Sequence, residues 1–151
     1  MRQSASVRIA GRFVAARDHW DSDAPDFCYG IAVAVMNLAA APDGQGLLGQ
    51  RYREERGNCE GKEELDLPTS IVVKRNGAVA YLRCDASPEL GFGGPYRCRP
   101  GSTRVVVKHD ARDARNAFEV LDSAPSIASL RPHGGTLSWR NGSQLRTARP
   151  K

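Results

Sequence analysis

Apolar and polar positions alternate along much of this chain, and a period of two marks a strand with one face buried. Val7, Ile9, Gly11, Phe13 and Ala15 alternate with Arg8, Ala10, Arg12 and Val14, which predicts a half-buried strand over residues 6–15. Residues 27–38 carry Tyr29, Ile31, Val33 and Val35 at the same spacing and predict a second, more buried strand, with helix as the alternative left open by the alanines. Val105, Val106 and Val107 stand in sequence within 103–108, a continuous apolar run that suits a strand covered on both faces.

Two Asn-Gly dipeptides, Asn76-Gly77 and Asn141-Gly142, lie between β-like segments and predict hairpins. Two-residue turns there would place Trp139 opposite Gln144 and Leu137 opposite Arg146, mixing apolar and polar side chains on one face. Three-residue loops, with the glycine left-handed in a bulge, instead pair Trp139 with Ser143 and Leu137 with Leu145. The same geometry pairs Val73 with Val79, Ile71 with Tyr81 and Lys74 with Ala78. The bulged register is therefore expected in both hairpins, with Trp139 buried and Ser138 turned away from the core.

Residues 39–68 are rich in Pro, Gly and charge and read as a long excursion from the sheet, with at most one short helix near residues 47–56. Beyond Asp110, a residue type that caps helices, Ala114, Ala117, Phe118 and Leu121 recur at helical spacing, while Phe118 and Val120 also fit a strand. Pro125, Pro132 and Gly134-Gly135 predict a loop before the last hairpin. The sum is one domain over 1–151, mainly β: a small barrel, OB-like, or a sandwich of six to seven strands with one or two short helices.

Composition sets limits on this picture. Hydrophobic residues make up 40% and charged residues 26%, values of an ordinary globular domain, which excludes disordered and fibrous classes. The longest apolar stretch, 30–41, is broken by Asn37 and falls short of the ~20 residues a spanning helix needs. Residues 1–7 lead into an alternating pattern and not into the apolar run of an export signal. The expectation is a cytosolic chain or one whose signal has been removed, Met1 then being an expression start, and the cysteines favour the second. Basic residues outnumber acidic ones 22 to 17, and 18 of the 22 are arginine, a bias that fits a GC-rich, bacterial coding sequence. Along the sequence they are scattered, without the dense cluster of a nucleic-acid footprint, so nucleic acid is not the expected partner.

Cys28, Cys59, Cys84 and Cys98 form an even set without a C-x-x-C pair. A structural zinc site usually takes two ligands from one tight turn, so this spacing favours disulfides over zinc. Buried thiols, or a mixed site with His19, His109 or His133, are the alternatives. The pairs expected are Cys28–Cys59 and Cys84–Cys98, each closing a long loop and each requiring an oxidising compartment, periplasmic or extracellular.

Two segments offer contact surfaces. Residues 18–26 hold Asp18, Asp21, Asp23 and Asp26 around Trp20, but counting from Asp21 a helix–loop–helix calcium loop would need glycine at Asp26 and glutamate at Ala32. An irregular cation site, a surface for a basic partner and a solvated turn remain as readings. Residues 85–100 combine glycines with Phe92 and Tyr96, rings suited to anchoring in a partner's cleft if Cys84 and Cys98 cinch the base. The chain lacks a G-x-S-x-G elbow, an H-E-x-x-H pair and a phosphate-binding G-x-x-x-x-G-K loop. His109-Asp110 is its most catalytic-looking pair. The leading expectation is an exported protein-binding module, an inhibitor or immunity protein occluding a partner enzyme without cofactor or metal. Trp20, Asp21, Asp23, Asp26, Phe92 and Tyr96 would make the contact. A small hydrolase or carbohydrate binder using His109, and an arginine-rich nucleic-acid binder, are the alternatives.

Overall fold

The computed structural model describes residues 7–22, 28–40, 57–58, 65–88, 96–110 and 118–149. Among them are twelve strands, all paired antiparallel, and one 3-10 turn at Leu38–Ala40. A four-stranded sheet holds β1 (Val7–Ala10), β2 (Phe13–Ser22), β3 (Cys28–Asn37) and β4 (Gly57–Asn58) in that order. A five-stranded sheet follows, with β5 (Leu65–Val73), β6 (Val79–Pro88), β7 (Tyr96–Cys98), β8 (Arg104–His109) and β9 (Glu119–Ala124). Its order is β5-β6-β8-β9, and β7 pairs with the end of β6. The third sheet is the meander β10 (Ile127–His133), β11 (Thr136–Asn141) and β12 (Gln144–Ala148). Each sheet is an open path of neighbours, so the expected barrel is not formed, and of the two suggested architectures the sandwich fits.

The five-stranded sheet is the middle layer, because its strands are apolar on both faces. Val79 and Tyr81 of β6 join Ile71, Val73 and Val107 in a core shared with Phe13, Ala15, Val33 and Val35 of the four-stranded sheet. The alternate residues Ala80 and Leu82 join Val72 and Val106 in a second core against Ile127, Leu130, Leu137 and Trp139 of the three-stranded sheet. Successive side chains of a strand point to opposite faces, so an unbroken apolar run such as 105–107 needs a cover on each side.

Several expected elements change. The strand expected over 6–15 is a hairpin, turned at Gly11-Arg12 with Gly11 at φ 61°, the left-handed conformation that glycine adopts without penalty. Its ladder pairs residues of opposite parity, such as Ala10 with Phe13 and Ile9 with Val14. Alternation that continues across the turn therefore sends Val7 and Ile9 to the opposite face from Phe13 and Ala15. Phe13 and Ala15 are buried, and Ile9 is 70% exposed. Asp18 to Ser22, the start of the acidic segment for which a solvated turn is one reading, are ladder residues of β2, opposite Ala32 to Cys28. The proposed excursion 39–68 includes the strand β4 and the start of β5; its suggested helix over 47–56 lies outside the described residues.

The first Asn-Gly hairpin has the expected register at its turn, but the ladder shifts between Thr69 and Val72, so Ile71 and Tyr81 are not ladder partners although they share one core. Val73 pairs with Val79, the Lys74 amide donates to the Ala78 carbonyl at 2.8 Å, and Gly77 has φ 92°. The second does not. Its loop is Gly142-Ser143, and Trp139 pairs with Arg146 and Leu137 with Ala148. Gly142, at φ 60°, takes the first central position of the turn, which leaves Asn141 in the ladder with its side chain engaged elsewhere. Trp139 is buried, as expected, so the faces were assigned correctly and the register was not.

Residues 111–117 lie outside the description, but the helix suggested over 110–121 does not reach its end: Glu119–Ala124 is the edge strand β9. Lys108 pairs there with Glu119, opposite charges facing across the ladder. The loop expected before the last hairpin is instead β10. Pro132 is tolerated because β10 is an edge strand, where a missing N–H interrupts no ladder on the open side.

Candidate functional site

The hairpin of β6 and β7 is held at its base by covalent and backbone links. Ala86, Ser87 and Pro88 pair with Cys98, Arg97 and Tyr96, and a disulfide joins Cys84 to Cys98 with their Cα atoms 5.5 Å apart. The Arg99 amide donates to the Asp85 carbonyl at 2.8 Å, and the Ser102 amide to the Arg99 carbonyl at 3.1 Å, turning the chain through Gly101 into β8. Cys84 and Ala86 are buried beside Ile31 and Leu67, with Cys98 packed against them. Both ends of the 85–100 segment are thus fixed in the sheet. Phe92 lies outside the described residues, and Tyr96 is the first residue of β7.

The second expected bridge falls partly outside the description. Cys28 opens β3, opposite Ser22, and Cys59 is undescribed. Their chain neighbours Tyr29 and Asn58 pair in the β3–β4 ladder. Trp20 and Asp21 lie on β2, opposite Gly30 and Tyr29, whereas Asp23 and Asp26 are outside the described residues. Among the described residues no three of His, Cys, Asp or Glu are grouped to hold a metal ion.

His109 and Asp110 do not present a catalytic pair. The His109 imidazole is 2% exposed, 3.2 Å from the Tyr81 hydroxyl through Nε2, stacked on the Tyr81 ring at 5.9 Å and tilted against Phe118 at 6.0 Å. A general base must reach the proton it takes from substrate, and this ring is enclosed by the core. Asp110 turns to Lys108, 3.2 Å away, and Glu119 approaches the same ammonium at 2.8 Å. Burial opposes the Lys108 charge, but the Glu119 and Asp110 carboxylates outweigh it and raise the pKa above the ordinary lysine value. This cluster stabilises a buried cation, and the hydrolase reading through His109 loses its base.

Two features escaped the sequence. Asp122 on β9 accepts from Trp139 Nε1 at 2.7 Å, from Asn141 Nδ2 at 3.3 Å and from the Ser123 amide at 2.9 Å, with Arg146 Nε at 3.5 Å. Burial alone would raise its pKa; the Trp139, Ser123 and Asn141 donors and the Arg146 charge outweigh burial and lower it. A single aspartate among serines carries no sequence signal for such a role. The other feature was open to counting. Residues 1–122 carry seventeen basic and seventeen acidic side chains and are neutral. Residues 123–151 hold Arg131, Arg140, Arg146, Arg149 and Lys151 and no Asp or Glu, which accounts for the whole net charge of +5. The excess that looks scattered by residue number is therefore gathered on the three-stranded sheet and the residues that follow it. Comparison with family models, curated proteins and solved structures finds no match to this chain.

Proposed function

We propose that the chain is an exported protein-binding module, acting as a periplasmic or secreted inhibitor or immunity protein that occludes a partner enzyme through the segment joining β6 to β7. The observation that carries this reading is the Cys84–Cys98 bond across the base of that hairpin. Such bonds persist in oxidising compartments. A segment tied at both ends loses less freedom on binding, and Phe92 and Tyr96 supply large rings at low entropic cost. Trp20, Asp21, Asp23 and Asp26 form the second contact. The Tyr29–Asn58 pair supports a second bridge, Cys28–Cys59, beside it.

Capture from the periplasmic or secreted fraction of the source organism tests this. The native protein is expected to retain one specific protein. The F92A/Y96A variant, with its near-ultraviolet circular dichroism unchanged, is expected to lose at least about thirtyfold in affinity for it, as for a hot-spot pair. Equal retention by the variant, or no retained protein, overturns the proposal. Alkylation before and after reduction checks the compartment: native protein with four reactive thiols would exclude it.

A further inference from the structure

The three-stranded sheet has one face in the core and one in solvent, and its cations divide between them. Ladder partners share a face, so Trp139 and Arg146 lie together on the inner side, where Asp122 meets Arg146. The outer side carries Arg131, Ser138 and Thr147 in one cross-strand row, His133 with Thr136 on one side of it, and Arg140 between Ala128 and the exposed Leu145 on the other. Arg131 and Arg140 are exposed. Among the described residues neither faces a carboxylate, and no acidic residue occurs on this sheet at all.

Arg131 stands diagonal to Arg140 across the β10–β11 ladder, a spacing of roughly 7–8 Å between Cα atoms. Arg131 stands at the end of the row of Ser138 and Thr147 hydroxyls and Arg140 in the adjacent row, on a surface backed by Ile127, Leu130, Leu137 and Trp139. The charge continues past the turn end of the sheet. Lys74 Nζ donates to the Gly134 and Thr136 carbonyls at 2.9 and 2.7 Å, which pins the β5–β6 loop there and brings Arg75 to the same end. The Arg75 stem in turn lies against the Gly11-Arg12 turn.

We infer that this outer face binds a linear polyanion, and specifically an anionic polysaccharide, through Arg131 and Arg140. Guanidinium forks match sulfate and carboxylate oxygens in bidentate fashion, and hydroxyls complete such contacts. Proteins that hold single-stranded nucleic acid on a sheet stack its bases on aromatic rings. Among the described residues this face carries the His133 imidazole but no Trp, Tyr or Phe ring, since Trp139 points into the core. On the export reading proposed above, which the Cys84–Cys98 bond supports, the chain works outside the cytoplasm, where anionic polysaccharides are found. The site is separate from the β6–β7 segment; the choice of polysaccharide rests on the export reading, while the binding face itself does not.

The test uses the intact protein with heparin as the sulfated probe, a DNA duplex, and vesicles of anionic lipid. Heparin is expected to bind most tightly, with affinity falling as salt rises. R131A/R140A should weaken it about tenfold or more and make the log–log salt dependence shallower by about two. R8A/R17A, which removes the same charge from the four-stranded sheet, should stay within about twofold of native. F92A/Y96A should bind heparin as native does. Tighter binding to DNA or to vesicles overturns the polysaccharide assignment. Equal loss in R8A/R17A reduces the effect to net charge and overturns the site, as does an unchanged R131A/R140A or an absence of heparin binding.

Discussion

At the scale of single residues, backbone conformation decides several positions that composition leaves open. Gly77 combines φ 92° with the Phe13 ring, which would stand 2.7 Å from an added Cβ. Phe13 is buried and cannot swing into solvent, so the strain and the overlap add. Gly77→Ala is expected to cost about 2–4 kcal/mol in chemical denaturation; a loss below half of that would show that the ring yields. Ser129 has φ 61° inside the register shift of β10, an uncommon conformation for a side chain with a Cβ. Ser129→Val is expected to destabilise by about 1–2 kcal/mol while Ser129→Gly stays neutral or stabilises. Equal effects of the two would remove backbone strain as the cause.

At the scale of elements, alternation identified β3, an unbroken apolar run β8 and the Asn76-Gly77 turn the start of β6, because a half-buried or doubly buried strand writes its burial directly into side-chain polarity. The Val73–Val79 register was legible for the same reason, since only one loop length segregates the faces. Around Trp139 that criterion failed: Arg146 sits opposite it on the inner face, which polarity forbids until Asp122, from another sheet, is known to be there. The Gly11 turn was hidden because alternation runs through it unbroken. Of the proposed contact residues, Tyr96 opens β7 opposite Pro88, while Phe92, Asp23 and Asp26 fall outside the described residues. The Cys84–Cys98 bond closes a separation of 14 residues, for which loop entropy gives about 3 kcal/mol. C84A/C98A is expected to lower stability by about 2–4 kcal/mol, and thermal unfolding with an unchanged midpoint would show that the ladder alone holds the hairpin.

At the scale of the whole molecule, the run 105–107 calls for a cover on each side, but polarity shows only that a face is apolar and not which element covers it. Polar clamps join the middle sheet to the C-terminal one: Lys74 to the Gly134 and Thr136 carbonyls, Arg104 Nη1 to the Ile127 carbonyl at 3.1 Å, and Asp122 to Trp139 and Asn141. Asn141 is itself oriented by the Ser126 hydroxyl, 2.6 Å from its Oδ1. The Asp122 clamp makes stability depend on acid. Its carboxylate titrates lower in the folded chain than in the unfolded one, where the value is about 3.9. In the interval between the two values the unfolded state holds the proton more tightly. The contribution is therefore complete above about pH 4 and lost as pH falls through the folded value. Asp122→Asn keeps the shape but removes the charge that meets Arg146 and accepts from Trp139, and is expected to cost about 1.5–3 kcal/mol at pH 7. For a chain of this size that corresponds to a fall of several degrees in Tm, about 2–4 °C per kcal/mol. The difference between native and variant Tm should shrink as pH falls below about 4, because protonation does to the native carboxylate what the substitution does permanently. A difference that stays constant from neutral to acid pH would mean that Asp122 joins the sheets by its shape and not by its charge.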